Sequence, residues 1–256
     1  MARVCLFLFF LPCNSSKGKG RISEELFNFV NLKTIQSKMD IQLVIFDFDG
    51  TLSDTRQTIV QTFQATIRRL QLDSVSDEAC AATIGLPLKA GFQQLYPTMA
   101  EELAERCVDT YCEIFNTNKR LFVPNLFPRV RETLVELHRR GIRMGIASSR
   151  SSQSLHEFID EMQLEGLFDC VLGVDSVAKA KPDPTPVFRT WEVIPAEPQR
   201  TLVVGDMPVD IEMGKRAEAW TAGVTYGNAS AEALQAAGAD FLLEDFGELC
   251  ERCFSR

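Results

Sequence analysis

The sequence has no surplus of positive charge and no long apolar run. Its 256 residues include 27 Lys and Arg against 35 Asp and Glu, which gives a formal net charge of −8. Such a balance offers no basic footprint, so we expect no nucleic-acid partner. No apolar stretch reaches the roughly 18 residues that a membrane-spanning helix needs, so we expect no stable membrane span. Internal repeats of useful length are also absent.

The cysteines lack the spacing of a disulfide framework. There are 8 of them, scattered along the chain, and a chain of this length does not need disulfides to support its core. The pair Cys250 and Cys253 has no second pair and no histidine near it, which argues against a zinc site. A redox pair is expected at a helix start after a strand, not at the end of the chain. We therefore predict ordinary reduced thiols.

The first 38 residues differ from the rest of the chain. A short apolar run, Val4–Leu11, resembles a secretory signal, but Lys17 and Lys19 follow it and a small-residue cleavage pattern is missing. We predict that residues 1–38 form an accessory or disordered extension without a catalytic role. The predicted location is the cytoplasm. Targeting to an organelle, or tethering to a membrane through residues 1–38, is the alternative.

The rest of the chain is organised around the stretch from Leu43 to Asp54. Leu43–Phe46 is a continuous apolar run, which predicts a strand buried on both faces of a parallel sheet. Asp47 and Asp49 follow it at positions i and i+2, so in extended chain their side chains point to the same side. Two carboxylates in one cavity need a shared proton or a cation. The plainer alternative is a solvated turn at the end of the strand.

From Pro124 onward, apolar segments alternate regularly with helical ones, whereas residues 56–123 show helical periodicity and no convincing strand. Strands separated by helical segments of this length indicate βαβ units and a parallel sheet. We predict an α/β fold with a Rossmann-like core, formed by residues 39–55 and 124–256. Residues 56–123 are predicted to be a compact helical insertion after the first strand.

Polar residues follow three further predicted strands. Ser148 and Ser149 come after one strand, Lys181 lies in the loop after the next, and Asp206 and Asp210 follow a third. Each has a plainer explanation, because serine and aspartate often cap helices and a loop lysine is usually solvated. Together, however, they bring carboxylates, a hydroxyl and a cation to one edge of one sheet. These are the groups that Mg²⁺-assisted phosphoryl transfer requires.

The motifs formed by these residues resemble those of the haloacid dehalogenase-like hydrolase superfamily, in particular its phosphoglycolate phosphatase-like branch. The matches are D-x-D-G-T-L-x-D at Asp47–Asp54, a strand that ends in Ser148, K-P-x-P at Lys181–Pro184 and G-D-x-x-x-D at Gly205–Asp210. Their order and spacing fit from about Ile41 to the C-terminus, and the helical insertion corresponds to the cap domain of the family. One departure is Ser149-Arg150, where many members of this branch carry Asn-Lys, and it weakens the assignment to phosphoglycolate itself.

The resemblance implies a role for each residue. Asp47 would attack phosphorus and form an aspartyl-phosphate, and Asp49 would protonate the leaving alkoxide and later accept a proton from water. The residues implied to bind the phosphoryl group are Ser148, Ser149 and Lys181. The residues implied to hold Mg²⁺ are Asp47, Asp49 (through its backbone carbonyl), Asp206 and Asp210.

The predicted function is therefore that of a Mg²⁺-dependent phosphatase acting on a small phosphorylated metabolite, a phosphoglycolate-like monoester. Three alternatives stay open: a phosphomutase of the same fold acting on a sugar phosphate, a true dehalogenase, and a non-catalytic regulatory or binding protein. A dehalogenase is disfavoured because a halide leaving group does not need Asp49. Arg56 and Lys89 are candidates for choosing the substrate by their location in the cap. No oligomeric state is predicted.

Overall fold

A six-stranded parallel sheet lies at the centre of the computed structural model, which describes residues 39–118 and 124–253. The strands of the described residues are β1 (Leu43–Phe46), β2 (Ser53–Asp54), β3 (Asn125–Leu126), β4 (Arg143–Ala147), β5 (Cys170–Leu172), β6 (Thr201–Gly205), β7 (Trp220–Val224) and β8 (Phe241–Leu243). The main sheet has the order β5-β4-β1-β6-β7-β8 and every neighbouring pair is parallel. In a doubly wound sheet of this order, ligands bind where the order reverses, which is here between β1 and β6.

Helices connect the strands. In the described residues they are α1 (Arg56–Arg69), α2 (Asp77–Ala81), α3 (Leu88–Leu95), α4 (Glu101–Asn118), α5 (Val130–Arg139), α6 (Ser152–Glu161), α7 (Thr185–Val193), α8 (Pro208–Arg216), α9 (Ala231–Ala236) and α10 (Glu248–Cys253). Short 3₁₀ turns occur at Val174–Ser176 and Pro198–Arg200. Strands alternate with helices from β4 onward, as the sequence predicts.

The apolar run of β1 is explained by burial on both faces of the sheet. All four of its side chains are completely buried. Val44 and Phe46 lie in a cluster with side chains of α5 and α6, whereas Leu43 and Ile45 lie in a second cluster with side chains of α7 and α8. A strand with only one buried face would alternate apolar and polar residues. β1 is thus the central strand of a three-layer α/β core.

Helices α1–α4 form the cap, which has a small hydrophobic core of its own. Phe63, Phe92 and Cys107 belong to that core, and the rings of Phe63 and Phe92 lie 4.7 Å apart. The chain enters the cap just after β2 and returns through β3. These two short strands pair in antiparallel orientation, with Ser53 opposite Leu126. The cap is therefore joined to the sheet by a two-stranded ribbon, which was not predicted from the sequence.

The predicted fold class is confirmed: an α/β fold with a Rossmann-like parallel sheet and a helical cap inserted after the first strand. The exact domain limits stay predictions. Helix α10 was not predicted. Among the described residues, five cysteines are free thiols: Cys80, Cys107, Cys112, Cys170 and Cys250.

The predictions for residues 1–38 lie outside the described residues, and so does part of the predicted return of the cap, since residues 119–123 are not described. Within residues 39–118 and 124–253, none of the helices combines the length and the apolar composition that crossing a bilayer requires.

Candidate active site

Three buried aspartates meet at the carboxyl ends of β1 and β6. Asp47 directly follows β1, Asp206 directly follows β6, and Asp210 lies in the first turn of α8. Because β1 and β6 are neighbouring strands, their carboxyl ends bring Asp47 and Asp206 together. One carboxylate oxygen from each of the three residues lies within 4.8 Å of the others. We call Asp47, Asp206 and Asp210 the acidic cluster.

Lys181 is the cation of the acidic cluster. Its Nζ lies 2.8 Å from Asp47 Oδ1 and 2.6 Å from Asp210 Oδ1. Burial by itself would lower the pKa of Lys181, but the charges of Asp210 and Asp47 outweigh burial and raise it. For Asp47 and Asp206 burial has the larger effect on the pKa. Burial raises the pKa of Asp47 well above its ordinary value, against the effect of Lys181, and burial together with the charge of Asp210 raises the pKa of Asp206 to about 7.

The acidic cluster fits a divalent cation. One ammonium faces three buried carboxylates, so negative charge is in excess. In addition, Asp47 Oδ2 is buried without a hydrogen-bond partner, which is rare for a buried polar atom and leaves this oxygen available to a cation. Carboxylate oxygens are also the donors that hard divalent cations prefer. The side chain of Asp49 is not part of this set.

Asp206 is held in place by residues from two separate segments. Its Oδ1 accepts a hydrogen bond from Thr51 Oγ1 at 3.2 Å, and its Oδ2 accepts two from Asn228, from the backbone N and from Nδ2, each at 2.8 Å. Gly50 makes this approach feasible. It has a φ of +82°, and a Cβ at this position would lie 2.2 Å from Asp206 Oδ2. The turn after β1 can therefore reach Asp206 only with glycine at position 50.

Asp49 is paired with Arg150. Arg150 Nη2 lies 2.7 Å from Asp49 Oδ1, and Nε lies 3.1 Å from Oδ1 and 3.0 Å from Oδ2. Both side chains are nearly buried, with exposures of 10% and 11%. Burial favours the neutral form of Arg150, but the Asp49 carboxylate outweighs burial and raises the pKa of Arg150. The sequence pointed to Arg150 only as a departure from the family pattern.

A cavity of about 310 Å³ lies between the cap and the loops that follow β1 and β4, and we call it the cap cavity. Asp49 and Arg150 form part of its wall on the sheet side. Its wall on the cap side is mainly apolar, with Ile59, Phe63, Ile84, Leu86, Leu88, Val108, Tyr111 and Phe115. Asp49 is thus in contact with the space in which the alcohol half of a phosphate ester would lie.

The two serines that follow β4 are placed differently. Ser148 is buried, and its Oγ accepts a hydrogen bond from the backbone N of Arg150 at 3.3 Å. The Oγ of Ser149 donates to the carbonyl oxygen of Gly85 in the cap at 2.6 Å. The hydroxyl of Ser149 therefore connects the cap to the sheet. Phosphate binding by Ser148 and Ser149 stays a prediction.

Arg56 and Lys89 do not line the cap cavity. Arg56 Nη1 donates to Asn228 Oδ1 at 3.2 Å, and Lys89 forms ion pairs with Glu101 and Glu105 on the outside of the cap. The expectation that they choose the substrate rested on their location in the sequence, and the geometry does not support it. Arg56 and Lys89 thus have their partners in the loop of Asn228 and on the surface of the cap, respectively.

Comparisons with known proteins agree with this site. The family model described as haloacid dehalogenase-like hydrolase matches residues 44–224. A protein named pyrophosphatase PpaX, from Anoxybacillus flavithermus, is 31% identical over 211 residues, which cover 82% of this chain and 96% of that protein. A protein named phosphoglycolate phosphatase, from Aquifex aeolicus, is 29% identical over 73% of this chain and 86% of its own.

A solved structure of a haloacid dehalogenase-like hydrolase from Bacteroides fragilis superposes with a TM-score of 0.77 and 28% sequence identity, over 82% of this chain and 99% of that one. The family model covers more than half of the chain and includes Asp47, Asp49, Ser148, Arg150, Lys181, Asp206 and Asp210. The predicted superfamily and the predicted enzyme class, a phosphatase, are thereby confirmed. From its motifs, its fold and these matches, the chain belongs to the haloacid dehalogenase-like hydrolase family.

Proposed function

We propose that this protein is a Mg²⁺-dependent phosphatase that hydrolyses a small phosphate monoester through an aspartyl-phosphate intermediate. The observation that carries the proposal is the acidic cluster around Lys181, with Asp49 beside it in the wall of the cap cavity. In this proposal Asp47 is the nucleophile, Lys181 the cation for phosphoryl oxygens, the acidic cluster the metal-binding set and Asp49 the proton donor. Relatives that are named phosphatases support the same class of reaction.

The proposed Mg²⁺ ligands are the acidic cluster and the backbone carbonyl of Asp49. Mg²⁺ suits this set because it prefers carboxylate and carbonyl oxygens and takes only a few of them from the protein. When bound, the ion would offset the repulsion between the carboxylate of Asp47 and the anionic phosphoryl group. The unpartnered Asp47 Oδ2 and the raised pKa of Asp206 support this assignment.

In the first half of the reaction, a carboxylate oxygen of Asp47 forms a bond to phosphorus and the bond between phosphorus and the ester oxygen breaks. Asp49 enters this step protonated, having taken up a proton from solvent, and donates it to the departing oxygen, so the product leaves as a neutral alcohol. Lys181 and Ser148 bind the phosphoryl oxygens. Lys181 is placed for this role because its Nζ lies 2.8 Å from Asp47 Oδ1, so the charge lies beside the nucleophile while electron density shifts.

In the second half, water attacks the phosphorus of the aspartyl-phosphate. Asp49, now ionised, accepts a proton from that water, and the bond between phosphorus and Asp47 breaks to release inorganic phosphate. Both carboxylates return to their starting forms. The cap covers the site from the side of Asp49, which limits access of bulk water during the first half.

For the substrate we propose a small phosphorylated metabolite of the phosphoglycolate type, handled in the cytoplasm. The two relatives are named after different substrates, a pyrophosphate and phosphoglycolate, so their names do not choose between phosphorylated acids, sugar phosphates, nucleotides and pyrophosphate. Phosphate release from a panel of these compounds, measured with Mg²⁺ and with EDTA, tests the proposal.

We expect turnover of at least one monoester that EDTA abolishes and Mg²⁺ restores. A rapid-quench experiment should then find phosphate on Asp47 by mass spectrometry. Undiminished turnover in EDTA would contradict the metal site. Isomerisation of a sugar phosphate without release of inorganic phosphate would favour the phosphomutase, and no turnover of any compound would favour the regulatory protein.

A further inference from the structure

Arg150 is the only lysine or arginine among the residues that line the cap cavity. It lies in the short segment between β4 and α6, and only 10% of its side chain is exposed. A guanidinium this deeply buried needs partners for its charge and for its N–H groups. Its partners indicate that Arg150 holds Asp49 in place.

The guanidinium binds Asp49 unevenly. Asp49 Oδ1 accepts from both Nε and Nη2, at 3.1 and 2.7 Å, whereas Oδ2 accepts only from Nε, at 3.0 Å. A carboxylate oxygen can accept two hydrogen bonds, so Oδ2 keeps one position free. Asp49 is also part of the cavity wall. The pair therefore fixes the plane of the carboxyl group and leaves Oδ2 as the oxygen that can exchange a proton with a substrate.

Other contacts prevent Arg150 from swinging away. Its Nη1 donates to Ser154 Oγ at 3.1 Å. Its Cζ lies 4.8 Å from the ring centroid of Phe158 in α6 and 5.2 Å from that of Phe115 in α4 of the cap. Both distances are in the range of a cation–π contact. One side chain thus contacts the sheet side, the cap and Asp49 at once.

We propose that Arg150 is a positioning residue for the reaction: its guanidinium holds the carboxyl group of Asp49 so that Oδ2 lies within reach of the ester oxygen. The inference rests on the proposed function, in which Asp49 transfers the proton. An acid contributes to the rate only when it lies within hydrogen-bond distance of the atom that it protonates. Binding of a second anionic group of the substrate is the competing role, but Nε, Nη1 and Nη2 of Arg150 each already donate to Asp49 or Ser154, and two aromatic rings flank the guanidinium.

Two esters of similar size separate these roles. Benzyl phosphate releases an alkoxide that needs a proton, whereas p-nitrophenyl phosphate releases a phenolate that leaves without one. For Arg150→Met we expect kcat/KM with benzyl phosphate, which reports only the first half of the reaction, to fall by about 10²-fold, the lower end of what acid catalysis contributes. With p-nitrophenyl phosphate we expect kcat/KM to fall by less than about 5-fold, because the phenolate leaves without a proton. The proton transfer to Asp49 in the second half is common to both esters and does not enter kcat/KM.

The double variant gives an independent measurement. If Arg150 acts through Asp49, then in an Asp49→Asn background the change Arg150→Met should cause almost no additional loss with benzyl phosphate. Arg150→Lys is the second variant in case Arg150→Met folds poorly. It keeps the charge but lacks the fork that spans both oxygens of Asp49, so the same selective loss is expected in weaker form.

Arg131→Met is the matched control. Arg131 also binds another segment, through the carbonyl oxygens of Gln163 and Met162, but it does not line the cap cavity. We expect it to leave the ratio of kcat/KM for the two esters unchanged.

Equal losses with both esters in Arg150→Met would show a structural role and overturn the proposal. A loss confined to phosphoglycolate would show binding of a second anion and would also overturn it. If the unmodified protein hydrolyses no ester, the proposed function itself fails.

Discussion

The acidic cluster and the cap cavity lie side by side but are assembled in different ways. Asp47 and Asp206 follow two neighbouring strands, Asp210 lies in the first turn of α8, and all three are fully or almost fully buried. The cap cavity is formed by side chains of α1, α3 and α4, together with loops from the sheet. The cluster is therefore fixed by the sheet, whereas the cavity depends on how the cap lies over it. Chemistry common to a family belongs in the first region, and selectivity belongs in the second.

The two regions also differ in charge. The acidic cluster has more carboxylates than cations, which is visible in the raised pKa of Asp47 and Asp206. In the wall of the cap cavity, Asp49 and Arg150 form an ion pair. A further cation is thus needed at the acidic cluster but not at the pair of Asp49 and Arg150. Changes in the acidic cluster should accordingly affect all substrates alike, whereas changes in the cap cavity should affect them differently.

The largest effect is expected from Asp47→Asn. The amide is a far poorer nucleophile than the carboxylate, so activity should fall by roughly 10⁴- to 10⁶-fold, as when the nucleophile of another covalent enzyme is removed. The loss should be similar for every ester of the panel. Phosphate release and mass spectrometry of the quenched protein measure it. A phosphate label that persists on the variant would remove Asp47 from the role of nucleophile.

Gly50→Ala should have the next largest effect, and with its control it distinguishes displacement of Asp206 from backbone strain alone. A Cβ at position 50 would displace Asp206, so we expect activity to fall at least about 100-fold for all esters, comparable to losing one electrostatic contact in other active sites. Gly141→Ala is the control, because its φ is also positive, +74°, but no atom lies within 4 Å of its Cβ. It should cost only the backbone strain, about 1–2 kcal/mol of stability. Equal activities of the two variants would mean that Asp206 tolerates displacement.

The charge imbalance predicts a pH-dependent response to metal. In the metal-free protein the pKa of Asp206 is raised from 3.8 to about 7, so the folded state holds a proton more tightly than the unfolded state. Stability from this group is then highest in acid and is lost as pH rises from about 4 to about 7. At pH 8, Mg²⁺ at about 100 times its Kd should add roughly 2.7 kcal/mol, or about 5–10 °C in Tm.

The same addition at pH 5 should give a smaller increase in Tm, because protons compete with the ion for the carboxylates. Thermal melts at the two pH values, with Mg²⁺ and with EDTA, measure both trends. Asp206→Asn is the control and should reduce the pH dependence as well as the response to Mg²⁺. An equal Tm increase at pH 5 and pH 8 would contradict the assignment of the imbalance to the acidic cluster.

The smallest effect is expected from the cap residues that the sequence singled out. Arg56→Ala and Lys89→Ala should change kcat/KM by less than about 3-fold and leave the order of substrates unchanged, because Arg56 makes one exposed hydrogen bond and Lys89 exposed ion pairs, and such surface contacts contribute little. Leu86→Ala is the comparison, since Leu86 lines the cap cavity. It should change the preference between large and small esters by about 10-fold, the usual value of an apolar contact in a pocket. A changed order of substrates in Arg56→Ala or Lys89→Ala would return them to a role in selectivity.

The contrast between the two regions also explains what the sequence could predict. The strands of the sheet were predicted to within about two residues because each is a short apolar run next to a turn or a helix. Asp47, Asp206 and Lys181 could be found because a parallel sheet gathers the residues that follow its strands. These inferences need only local patterns and one rule of topology.

The remaining parts depend on contacts between distant segments. Arg150 lies 101 residues after Asp49, and Asn228 lies 22 residues after Asp206, so no short motif connects either pair. The ribbon of β2 and β3 consists of two residues on each side, too few for a strand pattern. The prediction that Lys89 chooses the substrate did not take account of the charged neighbours on the surface of the cap, here Glu101 and Glu105, with which it forms ion pairs.

The ribbon of β2 and β3 holds both connections of the cap to the sheet. Because these connections lie side by side, we expect any rotation of the cap to take place about this ribbon as a single pivot. Ser53 of the ribbon also forms a bridge with Asp49, so the pivot lies next to the proposed proton donor. Rotation about it would carry the far wall of the cap cavity through a wide arc and move Asp49 very little. The cap cavity could then open for each substrate while Asp49, beside the ribbon, stays in place.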